Sequence, residues 1–203
     1  MSYNYSNFIN RVRMPLWEKT HNHYYSINIG LVHIATFDFD FFTSNPHLQS
    51  TMLHWLENDL KRANEVRNKW PWIILINHKP LHCSDLVNYG PECRIYWTEY
   101  REVDHLINKY KVDLFISGHK HSYERLIEFS FVNSQHIIHC FSYRSLPVHQ
   151  RAVKDHEKVA GDDKYTYIVN PQAPIHIVEA IAGNQETHHL KPCKHKLLLA
   201  LVN

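Results

Sequence analysis

Apolar positions along the chain follow two different spacings. Across residues 24–42 they alternate or run together, "YYSINIG" and then "LVHIATFDFDFF", which predicts two β-rich stretches meeting at Gly30 in a hairpin or tight turn. Over "SNPHLQSTMLHWLENDLKRANEVRNK" the spacing changes to three and four. There Leu48, Met52, Trp55, Leu56, Leu60 and Ala63 form one apolar stripe, as an amphipathic helix requires. Asn45 stands at the N-cap with Pro46 at the first helical position, and Glu57 and Lys61 are spaced to pair on the wet side. "WPWIILI", bounded by Pro71 and by "NHKP", reads as a buried strand. A second helix is predicted through "TEYREVDHLINKY", with Val103, Leu106, Ile107 and Tyr110 inward, and it leads into a further buried strand, "VDLFIS". Strands that alternate with helices predict an α/β fold, whose ligands gather beyond the C-terminal strand ends.

Composition narrows the function classes. A chain of 203 residues with a formal charge of +2 and scattered Lys and Arg has no basic block for nucleic acid or an anionic membrane. No apolar run reaches the ~20 residues of a membrane span, and "MSYNYSNFINRVRMP" is polar where a signal peptide is apolar. The unusual count is 18 His against 5 Gly, which allows metal or phosphate chemistry. Four cysteines lack a CxxC spacing, so a cysteine zinc site is not expected. Cys83 and Cys93 bracket a loop with Asn88, Gly90 and Pro91, a spacing compatible with a disulfide in an oxidising compartment and equally with two free thiols. "NYS" at Asn4 is a glycosylation sequon.

Two histidine motifs follow the two apolar strands. "SGHKHSYER" places His119 and His121 either side of Lys120, with Gly118 allowing a close backbone turn, and "LINHKP" adds His78 with Pro80 stiffening the loop. Three imidazoles from two strand ends form a metal-site pattern. A second H-x-H, His21 and His23, lies in a polar stretch and is expected to be solvated.

"PWIILINHKPLHCS" together with "VDLFISGHKHSYER" resembles the C-terminal half of the purple acid phosphatases, metallophosphoesterases of the calcineurin-like superfamily. "YNYSNFINRVRMP", "YYSINIGLVHIATFDFDFF" and "NPQAPIHIVEAIAGN" are similar to the family's flanking segments, so the likeness covers residues 3–128 and 165–184. It implies a two-sheet β-sandwich flanked by helices, and a dinuclear centre of Fe with Zn, Mn or Fe that hydrolyses phosphate monoesters. Carried over by motif, His78 and His119 are ligands of the divalent metal and His121 of the ferric ion. The resemblance also implies a secreted or lysosome-like setting. The family's earlier motifs, Gly-Asp-x-Gly, Gly-Asp-x-x-Tyr and Gly-Asn-His-Glu, do not occur in these 203 residues. The expectation is therefore a partial catalytic domain whose N-terminal half is missing, with weak metal binding and little hydrolysis by itself. The alternative is a non-catalytic truncated paralogue acting as a metal-binding or interaction module.

Several positions depart from the family or lack a role in it. Asn77 stands where glycine is usual, and His82 stands where an aromatic is common; a packed or solvated ring is the favoured reading of His82, and a proton donor to a substrate phosphate the alternative. Tyr123, Glu124 and Arg125 are expected in a loop, holding the histidine rings in orientation through hydrogen bonds. Asp38 and Asp40 match no family site, and His188 and His189 have no assigned role. Residues 129–164 have no clear periodicity and read as an atypical insertion or a misread segment.

Overall fold

The computed structural model describes residues 10–81, 100–121 and 174–180 in full, and as backbone strands residues 123–125, 148–149, 152–153, 159–161 and 166–168. Cys83, Cys93, His82, Asn4, His188 and His189 lie outside the described residues, as do most of residues 129–164.

A short helix α1 (Trp17–Thr20) leads into the hairpin β1 (Tyr24–Ile29) and β2 (Val32–Phe37), which turns at Gly30 with φ 57°, a conformation glycine adopts freely. Next come helices α2 (Phe39–Ser44) and α3 (Pro46–Glu65), then β3 (Trp72–Asn77), helix α4 (Arg101–Lys109) and β4 (Leu114–Ser117). β5 (Tyr123–Arg125) and β10 (Ile175–Glu179) complete a six-stranded sheet of order β1-β2-β3-β4-β10-β5. Two ribbons stand apart from it, β6 (Val148–His149) with β7 (Ala152–Val153), and β8 (Val159–Gly161) with β9 (Thr166–Ile168). β2, β3, β4 and β10 run parallel, with β1 and β5 antiparallel at the edges. The α/β class is as the sequence predicts.

One face of the sheet carries the core. Ala35, Leu75 and Phe115 lie in register across β2, β3 and β4, all fully buried against Met52, Leu56 and Leu60 of α3 and Val103 and Ile107 of α4. The opposite face carries Ile27, Ile34 and Ile74 in one row and Ile76, Ile116 and Ile177 in the next. These six are half-buried, apart from Ile76, which is exposed.

Three expectations are corrected here and one, the start of α3, is refined. "FDFDFF" does not continue the strand. Asp38 Oδ1 accepts a hydrogen bond from the Phe41 N–H and starts α2, and buried Phe39 and Phe42, three apart, both face the core. The apparent alternation was a helical spacing read too short. Asn45 is the N-cap of α3 with Pro46 in its first turn, as expected, but its side chain does not cap that helix; its Nδ2 donates backwards to the Phe41 carbonyl at 2.8 Å and closes α2. Glu57 reaches Lys109 Nζ at 2.7 Å and the Tyr110 hydroxyl at 3.0 Å, so it ties α3 to α4 instead of bonding within its own helix to Lys61. His23 is not solvated. It is 3% exposed, stacks on Phe41 at 3.5 Å and bonds Asp38 Oδ2 at 2.8 Å, while His21 stays exposed.

A polar bridge also crosses the core. Buried Asp59 of α3 accepts from Ser26 Oγ at 2.7 Å and meets His33 Nε2 at 2.9 Å, and His33 Nδ1 meets Asn28 Oδ1 at 2.7 Å. The carboxylate thus has partners on both of its oxygens, as burial of a charge demands.

Candidate metal centre

β3 and β4 are parallel neighbours, and their last residues, Asn77 and Ser117, are register partners. His78 therefore emerges beside Gly118 and His119. The Gly118 N–H donates to the His78 carbonyl at 2.9 Å, joining the two loops at their roots. The turn falls one residue later than the sequence suggests. A Cβ on Gly118 would meet backbone oxygens of Glu179 and His78 at an ordinary 3.7 Å, whereas His119 itself has φ 65°. That left-handed conformation costs an L-residue about 1–2 kcal/mol, and such strain collects at functional sites.

The strained backbone brings two rings together. His119 Nδ1 lies 3.0 Å from His78 Nε2, with ring centroids 4.9 Å apart and planes at 75°. Two nitrogens bound to one tetrahedral ion at ~2.0–2.1 Å stand roughly 3.3 Å apart. The hydrogen-bonded pair stands near that separation. His78 is exposed and His119 half-buried. The donor chemistry and spacing fit two ligands of a borderline divalent ion.

Other parts of the histidine motifs are placed less directly. His121 is half-buried, and Lys120 between the two histidines is fully buried. Among the described residues, no three His, Cys, Asp or Glu side chains group as a metal site. Tyr123, Glu124 and Arg125 are not in a loop. They form edge strand β5, with Glu124 opposite Val178 of β10, because the chain after His121 returns along the sheet; their side chains lie outside the described residues.

The histidine loop is held from β2's side as well. Asn77 Oδ1 accepts from the Phe39 N–H at 3.2 Å, and its Nδ2 donates to the Lys79 carbonyl at 2.6 Å. Lys79 Nζ lies 2.6 Å from Asp40 Oδ1. Asn77 thus supplies loop geometry by side-chain bonds where a glycine would supply it by backbone freedom. Sequence reasoning gave Asp40 and Lys79 no role. Their one signal was position, a carboxylate just past β2 at the edge where β3 delivers a lysine.

The chain belongs to the calcineurin-like phosphoesterase family, whose description matches residues 2–123. Family membership implies a dinuclear metal centre. Its similarities lie among acid phosphatases. It is 31% identical to human acid phosphatase type 7 over 203 aligned residues, covering 91% of this chain and 38% of that protein. It is 35% identical to probable purple acid phosphatase 20 of Arabidopsis thaliana over 119 residues, covering 57% of this chain and 26% of that one. The chain thus spans less than two fifths of the length of these relatives. A solved Plasmodium structure, GAP50, described as the anchor in the inner membrane complex, aligns with TM-score 0.40 at 16% identity, over 82% of this chain and 38% of that one.

Proposed function

We propose that this chain carries part of the dinuclear centre of a purple-acid-phosphatase-type enzyme that hydrolyses phosphate monoesters in an acidic, secreted or lysosome-like compartment. The observation that carries the reading is the 3.0 Å approach of His78 Nε2 and His119 Nδ1 above adjacent strand ends. In this reading His78 and His119 hold the divalent ion, Zn, Mn or Fe, and His121 holds the ferric ion. Paired metals supply charge stabilisation for a phosphate and an activated water. The chain's own contribution is orientation: the strain at His119 and the Gly118–His78 bond fix where the two imidazoles point. For both nitrogens to serve as ligands, each ring must carry its proton on the remote nitrogen, so the ring that donates in the His78–His119 bond has to change tautomer when an ion binds.

Three neutral imidazoles leave the charge of two metals uncompensated, and hydrolysis requires carboxylate donors that the described residues do not bring to the pair. The 203-residue chain is therefore expected to bind a divalent ion weakly and to turn over little substrate alone. That same observation favours a second reading, a metal-binding or interaction module without catalysis.

The test is a cobalt titration of the purified chain, followed by visible absorption, beside His78→Ala and His119→Ala. Saturable ligand-field bands that vanish in both variants are expected. Bands indifferent to either substitution would remove these histidines from the site. Hydrolysis of an aryl phosphate near the acid range after loading with iron and zinc separates the two readings: turnover lost in His119→Ala supports the enzyme, and metal binding without turnover supports the module.

A further inference from the structure

His78 is exposed, so packing does not fix its ring. Its direction follows from the backbone that carries it, and that backbone is held at the residue before. Asn77 ends β3 and is 8% exposed, a buried carboxamide at the root of the loop. Its Nδ2 donates to the Lys79 carbonyl at 2.6 Å, a bond from residue 77 to residue 79 that closes a ring around His78. Its Oδ1 accepts from the Phe39 N–H at 3.2 Å, in the first turn of α2. A helix start leaves such N–H groups without partners inside the helix, so the bond serves both elements. α2 is itself fixed from behind, because Asp38 accepts the Phe41 N–H with Oδ1 and bonds His23 Nδ1 with Oδ2. On the side of β4, the Gly118 N–H holds the His78 carbonyl.

We propose that Asn77 is a positioning residue for His78: its carboxamide ties the histidine bend to the start of α2 and thereby sets the affinity of the site for a divalent ion. The proposal rests on the reading of His78 and His119 as ligands of that ion. An imidazole already held in place loses less freedom when the ion arrives, and the difference appears as affinity. Removing the carboxamide opens the ring around His78 and takes its acceptor from the Phe39 N–H, so loop and helix start loosen together. Asn77 is buried, and a buried hydrogen-bonding group supports the fold whatever else it does. A loss of stability therefore accompanies either role, and only a readout at the site separates them.

The experiment compares Asn77→Ala, Asn77→Asp and Leu60→Val with the unsubstituted chain. Four quantities are measured: cobalt and zinc affinity, the cobalt ligand-field bands, hydrogen exchange at the Gly118 amide without metal, and urea unfolding. Leu60, fully buried on α3, is the control for destabilisation of the core. Leu60→Val should lower the urea midpoint and leave affinity and bands unchanged. Asn77→Ala should weaken metal binding about tenfold, the order lost with a group that orients a metal-bound side chain. It should also shift the cobalt bands and speed Gly118 exchange several-fold beyond Leu60→Val, because that amide bonds the His78 carbonyl. Asn77→Asp keeps an acceptor for the Phe39 N–H and loses the donor to Lys79, so its Gly118 exchange should fall between. Affinity, bands and exchange in Asn77→Ala no different from Leu60→Val would make Asn77 a residue of the fold alone and overturn the proposal. Should Asn77→Ala not fold, exchange in Asn77→Asp decides, and a rate equal to that of the unsubstituted chain overturns the proposal. If the unsubstituted chain binds no cobalt, the ligand reading fails on its own account, and Gly118 exchange alone then decides whether Asn77 holds the loop.

Discussion

Replacing His119 by glycine should leave a more stable protein than replacing it by alanine, the reverse of the order found within a helix. His119 has φ 65°. Alanine keeps the left-handed strain of about 1–2 kcal/mol, and glycine removes it. Glycine gives back about 0.4–1 kcal/mol through the greater freedom of the unfolded chain. Both variants lose the 3.0 Å bond to His78 equally, so it cancels from the comparison. The difference left is about 0.5–1 kcal/mol in favour of glycine. With a urea slope of about 2 kcal/mol/M, the glycine variant should unfold at a midpoint roughly 0.3–0.5 M higher. Equilibrium urea unfolding followed by tryptophan fluorescence measures it. An alanine midpoint equal to or above that of glycine would refute the strain argument, and with it the view that the backbone is bent to set the imidazole. Both variants should lose the cobalt signal.

Two further outcomes follow from contacts between elements. Asp59→Ala leaves His33 and the Ser26 hydroxyl facing an empty acceptor position in the core and should cost about 3 kcal/mol, while Asp59→Asn, which keeps one acceptor, should cost less; urea midpoints distinguish them. Glu57 is held below its ordinary value of 4.5, first by its hydrogen bond to Lys109 and then by that to Tyr110. A carboxylate whose folded pKa is lowered stabilises the fold above its unfolded pKa and loses that contribution as pH falls through the folded one. Glu57→Gln should therefore lower the thermal midpoint slightly at pH 7, and the gap should shrink as the pH is taken progressively below 4.5; a gap that does not diminish would contradict the pairing.

Much of the scaffold was legible because local spacing carries it. The stripe from Leu48 to Ala63 and the apolar runs "WIILI" and "LFIS" appear in the structure as helix and buried strands, since side-chain period follows directly from backbone geometry. The reading failed where one residue satisfies two neighbours. "FDFDFF" has the alternation of a strand, but Asp38 accepts the Phe41 N–H and the aromatic side chains at 39 and 42 find the core only from a helix. His23 looked wet in a polar stretch and is buried, because Asp38 and Phe41 lie across the hairpin from it. Glu57 had a suitable partner at i+4, yet α4 packs beside α3 and presents Lys109 and Tyr110 together.

By itself, the sequence determined the alternation of strands and helices, the edge of the sheet where chemistry would gather, and the three imidazoles of the motifs. Only the tertiary structure decided that two of them, 41 residues apart, meet at hydrogen-bond distance. Parallel pairing of β3 with β4 sets that meeting, and the register of strands joined by a long helical crossover is fixed by packing of α3 and α4 on the sheet. The positive φ at His119 likewise has no signature in the residue itself. It exists because the surrounding bonds, from Gly118 to His78 and from Asn77 to Phe39 and Lys79, hold the loops tightly enough to outweigh its cost.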